Sequence, residues 1–67
     1  MKIVFNGEER ETSRQMTLAS LLKELNLPPN RVAVEVNMQV VPRDRQAGYV
    51  LQEGDRLEVV TLVGGGC

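Results

Sequence analysis

The sequence predicts an α+β domain, a mixed sheet packed on one main helix. Three observations predict it. Hydrophobic alternation with period two marks residues 1–6, 31–37 and 56–63 as strands. One segment between them, residues 17–27, changes to helical period. The chain has only 67 residues, which suits one small domain with one core.

The first strand, MKIVFN, places Met1, Ile3 and Phe5 on one face. Asn6-Gly7 follows, and both residue types tolerate positive φ, the signature of a tight hairpin. A polar return strand is expected over residues 10–14, RETSR, at a sheet edge where its charges discourage unwanted pairing. In TLASLLKELNL, Leu18, Leu21, Leu22 and Leu25 form one apolar stripe. Thr17 is the candidate N-cap, and Asn26 the residue able to turn left-handed at the end. Pro28-Pro29 stops the helix there. So short a helix is marginal alone, so its leucines must pack on the sheet.

Val32, Val34 and Val36 line one face of the next strand. Asn37–Gln39 can turn, and Val40-Val41 can add a short strand ended by Pro42. PRDRQAGY reads as a loop with one helical turn, and Glu53-Gly54-Asp55 as a further turn. In the last strand Leu57, Val59, Thr61 and Val63 alternate with Glu58, Val60 and Leu62. With the first and last strands side by side, the expected core is Met1, Ile3, Phe5, Leu18, Leu21, Leu22, Leu25, Val32, Val34, Val36, Leu57 and Val59. The expected domain is 1–63, followed by a flexible glycine tail, 64–67.

Composition excludes several function classes. Eight Lys and Arg oppose nine Asp and Glu, a net charge of −1. There is no basic stripe, and one Phe and one Tyr give no stacking platform. A nucleic-acid partner is therefore not expected. No apolar run reaches the ~20 residues of a membrane span, and the N-terminus lacks the pattern of a signal peptide. A single Cys allows no internal disulfide, so a cytoplasmic protein is expected. The absence of His removes the commonest acid–base group and metal ligand, and one Cys alone makes no zinc site. Arg43-Asp44-Arg45 reads first as a solvated loop with a local ion pair, second as a partner contact.

Two features remain. Val60 and Leu62 are apolar on the face opposite Leu57 and Val59. With Val4 on the neighbouring strand they form either an exposed interaction patch or a surface covered by the helix or a loop. The chain then ends Gly64-Gly65-Gly66-Cys67. Three glycines after a strand reach about 10 Å with minimal width, enough to thread a narrow channel. Such a tail suits delivery of a terminal carboxyl group to another protein's active site.

From MKIVFNGE at the start, through TLASLLKEL and VAVEVN…VPR, to LQEGDRLEVVTLVGGG, the whole chain resembles the ThiS-type sulfur carriers of thiamine (thiazole) biosynthesis. Those carriers have the ubiquitin-like β-grasp fold. The resemblance implies a protein co-substrate, not an enzyme, with no bound cofactor. A ThiF-type adenylating enzyme would activate the terminal glycine with ATP. A sulfur donor protein would convert the adenylate to a thiocarboxylate, and a ThiG-type thiazole synthase would accept the sulfur. The family's Gly-Gly end falls on Gly65-Gly66, preceded by Gly64, and Val60 and Leu62 fall where the activating enzyme binds. Cys67 departs from the pattern by blocking the Gly66 carboxyl, which implies a peptidase that removes it. A persulfide on Cys67 or an N-to-S acyl shift ranks below that. The rival classes are a carrier for molybdopterin or another sulfur pathway, a ubiquitin-like modifier attached through Gly66, and a plain interaction module.

Overall fold

The computed structural model describes residues 1–62, the side chain of Pro29 excepted. The order is β1 (Lys2–Phe5), β2 (Glu8–Glu11), α1 (Leu18–Glu24), a 3-10 turn at Pro29–Arg31, β3 (Val32–Val36), β4 (Gln39–Val40), α2 (Arg43–Gln46) and β5 (Arg56–Thr61). The strands form one mixed sheet in the order β2-β1-β5-β3-β4. β1 and β5 are parallel neighbours at its centre, and the other pairs are antiparallel. This is the predicted α+β architecture, a ubiquitin-like β-grasp of five strands and one main helix among the described residues.

Two hairpins fix the registers at the sheet's ends. Asn6 and Gly7 have φ of 49° and 84°, and Phe5 pairs with Glu8. A two-residue loop with both φ positive matches the strands' twist, so β2 begins at once. The return strand therefore occupies Glu8–Glu11 rather than residues 10–14. All four of its side chains are exposed, which left no alternation to mark its start. Asn37 and Met38 repeat the device at φ of 52° and 70°, pairing Val36 with Gln39. The short strand thus covers Gln39–Val40, one residue earlier than expected, and Val41 turns inward as a buried residue.

α1 is capped as predicted. The Thr17 hydroxyl accepts from the Ser20 amide at 3.1 Å, and Asn26 turns left-handed at φ 59°. The regular helix is shorter than the periodic segment, ending at Glu24 with Leu25 as its cap. Its buried Leu18, Leu21 and Leu22 join Ile3, Val32, Val34, Val36 and Leu57 from the sheet in one core. Met1, Phe5, Leu25 and Val59, expected inside, are half-buried and pack on its edge. Val41 and Leu51 complete the core from segments without periodicity. No helix among the described residues is long and apolar enough to cross a membrane.

Candidate functional site

β5 carries the chain from the core toward its last residues, and every step of it is tied down. On one side the Val4 amide donates to the Asp55 carbonyl at 2.9 Å and the Asn6 amide to the Leu57 carbonyl at 2.8 Å. Where β1 ends, the Asn6 side chain takes over. Its Oδ1 accepts from the Val59 amide at 2.7 Å and its Nδ2 donates to the Val59 carbonyl at 3.1 Å. A side-chain amide here imitates one more residue of strand. On the other side β3 pairs with β5 up to Thr61, and the Leu62 amide donates to the Arg31 carbonyl at 2.7 Å.

The start of β5 is fixed by a second asparagine. Asn37 Oδ1 accepts from the Arg56 amide at 3.1 Å, while its Nδ2 donates to Asp55 Oδ1 at 3.0 Å. The buried Asp55 carboxylate also accepts from the Gln52 amide at 2.8 Å, so its desolvation is offset by charge-assisted bonds. Burial, and then the negative charge of Asp55, raise the pKa of the Tyr49 hydroxyl above its ordinary value, which takes it further from neutrality.

The face of the sheet away from the core is open. Val60 and Leu62 are 60% and 55% exposed, and no helix or loop among the described residues covers them. Val60 stands opposite the exposed Ala33, and in the next outward-facing row Glu58 stands opposite Glu35. Glu35 in turn pairs with Val40, which is 67% exposed. Val4 is elsewhere. It is half-buried and registers with Arg56, four residues before Val60, or ~13 Å along the strand at ~3.3 Å per residue. The patch expected from Val4, Val60 and Leu62 is therefore built on β5 and β3, with Ala33 in the place given to Val4. The opposition of Glu35 and Glu58 was not legible in the sequence, because two strands' register is not written in either strand. Gly64, Gly65, Gly66 and Cys67, together with the 63/64 boundary, lie outside the described residues.

The comparisons with known proteins agree with this architecture. The sequence profile of the ThiS family matches residues 3–66, ending on Gly66. A protein named thiazole synthase from Paramagnetospirillum magneticum is 47% identical over 66 residues, 98% of this chain but 20% of that protein. The chain thus spans about a fifth of that relative's length. The sulfur carrier protein ThiS of Escherichia coli is 30% identical, with 98% of this chain aligned to 100% of that one. The crystal structure of a thiamine biosynthesis protein (ThiS) from Geobacter metallireducens superposes with a TM-score of 0.85 at 26% identity, covering 98% of this chain and 100% of that one. A profile match over nearly the whole chain, a relative aligned along its full length and the shared fold lead to one conclusion: the chain belongs to the ThiS family.

Proposed function

We propose that this protein is a cytosolic sulfur carrier for thiazole formation in thiamine biosynthesis, holding the sulfur as a thiocarboxylate on Gly66. The observation that carries this reading is the family match, which runs to Gly66 and stops there. The fold supports it, because β5 is hydrogen-bonded to the body as far as Leu62. The glycine run follows directly after Val63. From Leu62, four extended residues reach Gly66, ~13–14 Å away.

The protein acts as co-substrate, and the reacting atom belongs to its main chain. In a ThiF-type adenylating enzyme, a Gly66 carboxylate oxygen attacks the α-phosphorus of ATP and pyrophosphate leaves. The outer sulfur of a donor protein's persulfide then attacks the acyl carbon and AMP leaves. Two thiol groups of a reductant cleave the resulting S–S bond and leave as a disulfide, which frees the thiocarboxylate on Gly66 and a thiol on the donor. A ThiG-type thiazole synthase accepts that sulfur. The relative named thiazole synthase supports such a partner, since a fifth of its length matches this chain.

Adenylation needs a free carboxyl group, so a peptidase cut after Gly66 must remove Cys67 first. The test uses the partner adenylating enzyme of the same organism, ATP and sulfide, with no peptidase present. A chain ending at Gly66 should exchange one carboxyl oxygen for sulfur, read by intact mass. The chain retaining Cys67 should stay unchanged. Thiocarboxylate on the uncut chain would overturn the processing step, and an isopeptide to a lysine would replace the carrier with a modifier.

A further inference from the structure

We propose that Asn6-Gly7 is a self-modification site governed by the fold. While the Asn6 amide is clamped on Val59 it does not react; when the clamp opens, Asn6 converts to aspartate and isoaspartate, and the complete clamp does not re-form. The proposal goes beyond the sulfur-carrier reading and does not depend on it.

The chemistry needs only the chain and water. The Gly7 amide nitrogen gives its proton to solvent and attacks Asn6 Cγ. A C–N bond forms, the side-chain nitrogen takes up a proton and leaves as ammonia, and a cyclic imide remains. Water then opens the imide at one of its two carbonyls. Opening at Cγ gives aspartate. Opening at the main-chain carbonyl leaves the chain running through Cγ, which is isoaspartate. A side chain on the following residue crowds the attacking nitrogen, so glycine, with no Cβ, is the most reactive neighbour. Of Asn6, Asn26, Asn30 and Asn37, only Asn6 precedes a glycine.

Burial does not protect the site. Asn6 and Gly7 are exposed, and a Cβ at Gly7 would meet no atom within 4 Å. Protection comes from how the Asn6 amide is held. Oδ1 accepts from the Val59 amide at 2.7 Å, and Nδ2, the leaving nitrogen, donates to the Val59 carbonyl at 3.1 Å. Both bonds hold the amide against β5, and swinging Cγ onto the Gly7 nitrogen breaks them. The β3–β4 hairpin supplies the comparison. Asn37 also turns at positive φ and bonds its amide to the start of β5, to the Arg56 amide and to Asp55. Its neighbour is Met38 at φ 70°, so that turn closes without glycine. The clamp is built twice, once with the reactive neighbour and once without.

Neither product rebuilds it. Aspartate has no donor for the Val59 carbonyl and sets a negative oxygen against it. Isoaspartate lengthens the backbone of the two-residue loop that pairs Phe5 with Glu8. A transient opening thus becomes permanent, and β5 loses its hold on the β1 side at Val59.

The experiment incubates the whole chain, folded and in guanidinium chloride beyond its unfolding transition, in one mildly alkaline buffer. Peptide mass spectrometry then maps aspartate and isoaspartate. In the denaturant the modification should fall first on Asn6, and Gly7→Ala should slow it there, where no clamp exists. In the folded protein it should be at least ~10-fold slower. Below the transition, added denaturant should raise the modification rate and the exchange rate of the Val59 amide by the same factor, because one opening serves both. The purified products should melt below the native protein. Folded and unfolded rates within about twofold of each other, or Val59 exchange that quickens while modification does not, would overturn the protective clamp. Asn37 reacting as fast as Asn6 in the denaturant, or Asn6 not reacting there at all, would overturn the site. Products that melt with the native protein would overturn the loss of the clamp.

Discussion

Asn6 does two things that a reader of the sequence sees as one. In the sequence it is half of an Asn-Gly turn, and the turn is there. Its side chain also closes two hydrogen bonds onto Val59, more than fifty residues away in the chain. That second role needs β1 and β5 to be neighbours, so no local pattern announces it. The roles can be separated experimentally. Asn6→Gly retains the positive φ but removes the amide, and should cost about 1–3 kcal/mol in urea unfolding, two hydrogen bonds at ~0.5–1.5 kcal/mol each. Asn6→Asp retains an acceptor for the Val59 amide, loses the donor to its carbonyl, and should fall between. Native-state hydrogen exchange should show the Val59 amide opening faster in Asn6→Gly than in Asn6→Asp. An Asn6→Gly protein with native stability and unchanged exchange at Val59 would mean the clamp contributes nothing.

At the scale of elements, legibility followed periodicity. α1, β1, β3 and β5 each carry a buried face at regular spacing, and that spacing is set by backbone geometry alone. β2 has no buried face, so its position came from turn chemistry and was misplaced. Val41 and Leu51 escaped for a related reason, because each is a single inward residue between short elements and repeats nothing. The helix start was legible in chemical detail, and it yields a prediction at this scale. Thr17→Ala removes the acceptor for the Ser20 amide and should cost ~1 kcal/mol, while Thr17→Ser, which retains the hydroxyl, should restore most of it. Equal stability of the two variants would show that the backbone bridge from Thr17 to Val50, and not the cap, fixes the start of α1.

For the whole molecule, the proposed function divides the labour between a body that folds and an end that reacts. The buried apolar residues of the described part run from Ile3 to Leu57. Among the described residues, the latest to enter a backbone hydrogen bond of that body is Leu62, bonded to Arg31. Composition suggests that division as an expectation, since a glycine run has no side chains with which to build a core. The sheet face could not be seen that way, because it depends on which strands are neighbours and in what register. A chain ending at Val63 should therefore keep its fold, with a stability change within ~0.5 kcal/mol and a melting temperature shifted by less than about 4 °C. It should also accept no sulfur from the adenylating enzyme and its sulfur source. Loss of cooperative melting on that truncation would make residues 64–67 part of the folded body. Sulfur gained by the chain ending at Val63 would remove the glycines from the chemistry.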